Sequence, residues 1–139
     1  MPGFVRAAIM GAALLVPAMA AAAPVQFACS GALVDRARKI AKADDLKLAL
    51  EPTACFGEMA LYPGTRKQIV VAAASPQCKT GKLLDVYDRS RAGPWYALFA
   101  KPVCGTAISV GPKSPWGDNM IDVDGRHYMD KAGAFVPAK

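Results

Sequence analysis

A single histidine, His127, limits the catalytic chemistry that this chain could perform. A Ser-His-Asp or Cys-His site would have to use this ring as the base that activates the nucleophile. Asp122 and Asp130 lie close to it in sequence, but no G-x-S-x-G nucleophile elbow occurs in the chain. We therefore interpret His127 as an ordinary strand residue, with a small hydrolase using His127 as the alternative.

The acidic residues at positions 118–125 could offer oxygen ligands to a cation, but their spacing does not match a calcium loop. An EF-hand loop has an oxygen ligand at its first position, glycine at its sixth and glutamate at its twelfth. If Gly125 is the sixth residue, Met120 opens the loop and Lys131 ends it. The pair Asp124-Gly125 instead predicts a two-residue hairpin turn, so no metal site is predicted.

Other motifs that accompany catalysis or cofactors are missing from the sequence. It contains no glycine-rich phosphate loop, no H-E-x-x-H and no paired carboxylates in a glycosidase arrangement. The absence of these motifs favours a protein that binds over one that catalyses, and no cofactor is predicted.

Aromatic and basic residues in the second half of the chain are the best candidates for a binding surface. Rings beside cations can stack on glycans or single-stranded nucleic acid, and Trp116 lies in a Pro-Trp-Gly loop where it could reach a ligand. The alternative is that the two tryptophans are packed inside the domain. The residues predicted to bind a ligand or partner are Arg91, Trp116, Arg126, His127 and Tyr128.

The N-terminal stretch, residues 1–22, has the features of a secretory signal peptide. Arg6 provides the positive charge, residues 7–16 are apolar, and Ala18-Met19-Ala20 fits the small-x-small cleavage rule. The apolar run is shorter than the ~18 residues that a membrane span needs, so an integral membrane protein is not expected. We predict one exported domain at residues 23–139, located in the periplasm or outside the cell.

The net charge favours anionic partners. The whole chain has a formal charge of +6, and loss of Arg6 with the signal leaves an excess of about +5. Such an excess suits an acidic envelope protein or an anionic glycan, although it also serves solubility alone. Export argues against nucleic acid as the partner.

The four cysteines predict two disulfides, because an even number in an exported domain is typical of a disulfide framework. Three pairings are possible. We prefer Cys29–Cys55 with Cys78–Cys104, since each closes a loop of 26 positions and leaves the two loops independent. Each bridge would then stabilise the fold by about 3–4 kcal/mol. Zinc is disfavoured, because the chain has no C-x-x-C and only one histidine.

The element expected to position these residues is the apolar run at 69–74, which lacks the alternation of the other candidate strands. Both faces of such a strand should be covered, by the side chains of other strands on one side and by a helix on the other. Residues 30–43 supply that helix, with Leu33, Ala37 and Ile40 on one face.

The rest of the chain is read as short strands between turn residues. Ser30 is the expected N-cap of the helix, and residues 46–50 alternate apolar and polar like a strand. We predict an α+β domain in which one N-terminal helix packs on a mostly antiparallel sheet of seven or eight short strands.

The C-terminal segment Asp122-Val123-Asp124-Gly125-Arg126-His127-Tyr128, followed by Gly133-Ala134-Phe135, resembles a repeat pattern. It is similar to small exported bacterial β-proteins of the FG-GAP or propeller-blade type, in which a strand, a tight turn and an aromatic-bearing strand recur. The resemblance implies a binding or inhibitory module and no catalytic residue.

Together these observations predict a non-catalytic exported binding module. Its expected role is that of an inhibitor or immunity-type protein for an envelope enzyme or toxin. A structural protein that binds glycan or the anionic envelope is the alternative.

Overall fold

A computed structural model describes residues 22–62, 64 and 66–138, so positions 1–21 of the predicted signal peptide lie outside the described part. The described residues contain one α-helix, α1 at Ala32–Asp44, followed by a 3₁₀ helix at Lys47–Leu50. Nine strands follow: β1 Cys55–Met59, β2 Gln68–Ala73, β3 Lys82–Arg89, β4 Trp95–Ala97, β5 Val103–Gly105, β6 Ile108–Lys113, β7 Asn119–Val123, β8 Arg126–Lys131 and β9 Ala134–Pro137.

The nine described strands form two antiparallel sheets, so the prediction of a single sheet of seven or eight strands was wrong. Sheet 1 has the order β1-β2-β3-β4, and β5 pairs with the other half of β3. Sheet 2 has the order β6-β7-β8-β9. Strands β4 and β5 pair with the same edge of β3, each with a different half of that strand. The chain then begins the second sheet at β6.

Strand β2 is buried along its whole length, as its apolar sequence predicts. It lies between β1 and β3 and pairs with both. Ile69, Val71 and Ala73 pack in the core beneath α1, whereas Val70 and Ala72 pack in a second core between the two sheets. The α+β class is therefore confirmed, with three layers: helix, sheet 1 and sheet 2.

Helix α1 begins two residues later than predicted. Its N-cap position is Gly31, with φ 109°, and no side chain caps the helix, so the expectation for Ser30 was wrong. Val34, Ala37 and Ala41 are its buried residues. The helix ends at Asp44, and its C-cap residue Asp45 has a left-handed backbone that ends the helical path.

Residues 46–50 form no strand, contrary to the alternating pattern. The Leu46 N–H donates to the Ala41 carbonyl at 3.0 Å, and the Ala49 N–H donates to the Leu46 carbonyl at 3.1 Å. This tight turn places Leu46 and Ala49 together in the core beneath α1. The return from the helix to sheet 1 therefore overrides the local preference for an extended strand.

Both disulfides adopt the preferred pairing. Cys29–Cys55 joins the segment before α1 to β1, and Cys78–Cys104 joins the β2–β3 loop to β5. The part of the chain described here has no free cysteine. Disulfides of this kind are compatible with an oxidising, exported compartment.

Backbone hydrogen bonds join the two sheets along both sides. On one side, the Val25 N–H donates to the Ile108 carbonyl of sheet 2, and Ala28 exchanges two bonds with Phe56 of sheet 1, all at 2.8 Å. On the other side, the Phe135 N–H donates to the Leu98 carbonyl at 2.7 Å. Backbone contacts of this kind therefore link the two sheets on both sides of the inter-sheet core.

A buried carboxylate, Asp85, stands opposite the gap between β4 and β5. Its Oδ1 accepts a hydrogen bond from the Val86 N–H at 2.8 Å, and the Phe99 N–H also donates to it. Burial raises the pKa of Asp85 from 3.8 to about 6, because desolvation outweighs these two bonds. The folded state therefore holds this proton more tightly than the unfolded state does.

We expect Asp85 to make the domain less stable as the pH rises from about 4 to about 6, since its folded pKa exceeds its unfolded pKa. The Asp85→Asn variant should lose this pH dependence, and its free energy of unfolding relative to the parent should rise by about 2–3 kcal/mol between pH 4 and pH 7. Urea denaturation at several pH values measures the difference. Asp118→Asn, at an exposed position, is the control. If the free energy of unfolding of Asp85→Asn differed from that of the parent by the same amount at every pH, this assignment would be contradicted.

Candidate functional site

The structure does not bring the predicted binding residues into one site. Trp116, in the loop between β6 and β7, is 77 % exposed. Arg126 begins β8 beyond the β7–β8 turn, at the opposite end of sheet 2. Tyr128 is only 7 % exposed, and its ring packs edge-on against Phe99 with the centroids 5.1 Å apart. Tyr128 is therefore a core residue, and it shares no cleft with Trp116.

His127 lies on the outer face of sheet 2, opposite Asp122 on the neighbouring strand. The His127 Nε2 atom is 3.1 Å from Asp122 Oδ2, and both side chains are partly exposed. Within residues 66–138 and the earlier described segments, no hydroxyl or thiol makes a polar contact with the His127 ring. The pair has the orienting carboxylate of a hydrolytic triad without an adjacent nucleophile.

Arg91 lies next to a formed cleft, although it is not among the residues that line the cleft. It belongs to the turn between β3 and β4, which faces the C-terminal half of α1 across an open space of about 520 Å³. We call this space the cationic cleft. The residues that give it its character are Arg36, Lys39, Ile40, Asp44, Arg89 and Trp95.

Helix periodicity brings one wall of the cationic cleft together. Arg36, Lys39, Ile40 and Ala43 are spaced three, four and seven residues along α1, so they follow one side of the helix. The opposite wall is the β3–β4 turn, where the Gly93 N–H donates to the Ser90 carbonyl at 2.8 Å.

The two walls are held in register by a carboxylate. Asp44 Oδ2 accepts a hydrogen bond from the Trp95 backbone N–H at 2.9 Å, which ties the end of α1 to the start of β4. The Trp95 ring is half-buried and packs against the core beneath α1. The backbone of Trp95, whose ring forms the apolar base of the cationic cleft, is therefore held in place without a bound partner.

Positive charge in and around the cationic cleft is only partly neutralised. Arg36 pairs with Glu58 at 3.0 Å, and the Arg89 Nε–H donates to the Gly93 carbonyl at 3.2 Å. Lys39 and Arg91 make no hydrogen bond or ion pair with any residue that the structure describes. Lys39 therefore offers unused donors to the cleft beside an apolar base, which suits an anionic group attached to an apolar one.

The sequence places basic residues on the side of the helix away from its apolar face, and such a side is as common on a solvated surface as at a binding site. What it could not supply was the placement of the β3–β4 turn, which brings Arg89 to the same cleft. The available signal was the pair of arginines before a turn-forming Ala-Gly-Pro, and it becomes informative only once β4 is known to meet the end of α1.

A second polar cluster closes one end of the inter-sheet core. Asp88 is 2 % exposed, and its carboxylate accepts bonds from Arg66 Nε at 3.0 Å and from Arg66 Nη2 at 3.1 Å. Gln68 Nε2 donates to the same carboxylate at 3.3 Å, while Gln68 Oε1 accepts from the Leu61 N–H at 2.7 Å. Asn119 Nδ2 of sheet 2 donates to the Leu61 carbonyl at 2.6 Å. This cluster joins the two sheets.

Two tyrosines near this end keep their protons. Burial, reinforced by Asp130 and Asp88, raises the pKa of Tyr62 to about 12. Burial and then Asp88 also raise the pKa of Tyr96 above its usual value. Neither phenol can therefore act as a base near neutral pH. The described ranges contain no group of three or more His, Cys, Asp or Glu residues arranged to hold a metal ion.

No protein-family model matches the chain, and no curated protein or solved structure matches it significantly. Among the helices of the described residues, none has the length and apolar character needed to cross a membrane.

We expect Asp88→Ala to destabilise the domain by about 2–3 kcal/mol, because it leaves the Arg66 guanidinium and the buried Gln68 amide without their shared acceptor. Asp88→Asn should cost less, since it keeps an acceptor oxygen in the same place. Chemical denaturation at neutral pH measures both variants. If Asp88→Ala were as stable as Asp88→Asn, the hydrogen bonds that Asp88 accepts would not stabilise the fold.

Proposed function

We propose that this chain is an exported, non-catalytic binding module that recognises an acidic partner through the cationic cleft. The supporting observation is the combination of Lys39, which has no acceptor among the described side chains, with the half-buried Trp95 in the same cleft. An acidic protein segment that carries an apolar side chain would satisfy both features. The role that follows is an inhibitor or immunity-type protein for an envelope enzyme or toxin.

The rigidity of the cleft supports a binding role. Asp44 fixes Trp95, and the Arg89 side chain is held by the carbonyl of Gly93. A preformed site loses little conformational entropy when the partner binds, so more of the contact energy appears as affinity. Unpaired surface cations at the same place raise the rate of association with an acidic partner.

The two disulfides support export, because such bridges persist in the periplasm and outside the cell but are rare in the cytosol. The signal peptide proposed for residues 1–22 is the route by which the chain would reach that compartment.

Charge reversal in the cationic cleft should weaken the binding of acidic ligands. The probes are poly-L-glutamate and polygalacturonate, which represent an acidic peptide and an anionic glycan. The double variant Lys39→Glu/Arg89→Glu should weaken binding of the preferred probe by about tenfold or more at low salt, because two attractive charges become repulsive. Titration calorimetry at several salt concentrations measures the affinity.

The matched control is Lys79→Glu/Lys131→Glu, which changes the net charge equally at exposed positions outside the cleft. It should bind within about twofold of the parent, since distant exposed charges are largely screened. Equal losses in the two double variants would mean that only net charge matters, and the cleft would no longer be a specific site. Preference between the two probes distinguishes a protein partner from a glycan.

Trp116 supports a second candidate function, glycan binding at the β6–β7 loop. A large ring that is 77 % exposed at a loop tip is available for stacking on a sugar face. We expect Trp116→Ala to weaken binding to purified cell-wall glycan by about tenfold. Leu50→Ala, which removes another exposed apolar side chain, is the control and should have no effect. Unchanged sedimentation of Trp116→Ala with the glycan would remove this candidate.

A further inference from the structure

The end of the inter-sheet core that lies opposite the Asp88 cluster contains an apolar pocket of about 310 Å³. Its walls come from the inner face of sheet 1, the segment before α1 and the β5–β6 connection. The residues that define it are Phe27, Ala72, Leu84, Thr106, Lys82 and the Cys29–Cys55 disulfide. We call this space the end pocket.

The end pocket is open because its walls carry small side chains. A larger apolar residue in place of Ala72 would fill the space, and Gly105 of β5 contributes no side chain to the wall. A Cβ atom on Gly105 would lie 2.4 Å from a Val123 methyl group, so the close approach of the two sheets here requires glycine. The volume is at the lower end of the range for small-molecule sites.

Lys82 gives the end pocket its charge. It precedes Leu84 on the same, inner face of β3, and it pairs across the sheet with Gly105. Its ammonium makes no hydrogen bond or ion pair with the described part of the chain. A lysine with no partner at the rim of an apolar pocket favours an anionic group attached to an apolar body.

The neighbouring carboxylate, Asp124, has a counter-charge other than Lys82, which is Arg126. Asp124 is already bound by three donors: the Thr106 N–H at 2.9 Å, the Thr106 hydroxyl at 2.8 Å and the Ala107 N–H at 2.8 Å. Arg126 is a further cation in electrostatic contact with Asp124. The charge left uncompensated at this end is therefore positive.

We propose that the end pocket binds one free, medium-chain aliphatic carboxylate, with its chain between Phe27 and Leu84 and its carboxylate at Lys82. A space of this size suits a single chain and not a two-chain membrane lipid. The site is independent of the cationic cleft, which lies on the other side of sheet 1.

Decanoate, kept below its micelle concentration, is the probe, and decanol is its uncharged analogue. We expect decanoate to bind with one-to-one stoichiometry in titration calorimetry. In ¹H–¹⁵N spectra, the shifted amides should concentrate at Phe27, Gly105 and Thr106. Lys82→Ala should weaken decanoate binding by about 5- to 20-fold, because a charge-assisted contact is lost, and should leave decanol binding unchanged.

Lys79→Ala, three residues away in the β2–β3 loop, is the control and should bind decanoate like the parent. Ala72→Val adds two methyl groups to the Cβ atom, so it should narrow the end pocket and reduce binding of both probes. A melting temperature close to the parent's would show that this variant is folded. Vesicles of anionic phospholipid should not compete with decanoate, which separates a free carboxylate from a membrane lipid as the source.

Three results would each overturn the proposal. They are no saturable binding of decanoate to the parent, equal decanoate affinities for Lys82→Ala and Lys79→Ala, and amide shifts confined to residues outside the end pocket. The first is measured on the parent and the second on surface variants, so both remain decisive even if Ala72→Val fails to fold.

Discussion

Burial of β2 on both faces is the constraint on which the rest of this structure depends. Its side chains are apolar from position 69 to position 73, so the strand cannot leave either face in water without a large loss of free energy. Helix α1 covers one face and sheet 2 covers the other. The two disulfides join the segments that bring these covers into place, since one lies beside α1 and the other beside β5.

The two candidate sites lie where α1 and sheet 2 pack against sheet 1. Because α1 lies over β1 to β3, its C-terminal half meets the β3–β4 turn, and basic residues of both elements face the same cleft. Because sheet 2 covers the inner face only in part, one end of the inter-sheet space is closed by the Asp88 cluster and the other leaves the end pocket. Both sites are therefore consequences of covering β2 from two sides.

The sequence predicted the features that depend on local pattern or on the lengths of the loops between the cysteines. The apolar run identified β2, the Asp124-Gly125 pair identified the β7–β8 turn, and equal loop lengths indicated the disulfide pairing. It missed features that depend on tertiary packing. Leu46 and Ala49 form a 3₁₀ turn because the chain must return beneath α1, and the second sheet begins after both halves of one edge of β3 are paired.

The candidate site was harder to predict than the fold, because a side chain's exposure depends on the layer it joins. Trp116 and Tyr128 look equally suitable in sequence, yet one is at a loop tip and the other packs against Phe99 in the inter-sheet core. Arg91 acquires its context only when β4 pairs with β3 and places the turn beside α1.

Native-state hydrogen exchange of the oxidised domain tests the central claim most directly. If the double cover of β2 controls stability, the amides of Val70, Val71 and Ala72 should exchange only through global unfolding and should be the slowest in the molecule. The β9 amides, at an edge of sheet 2, should exchange faster. Exchange from β2 that is as fast as exchange from β9 would contradict the account.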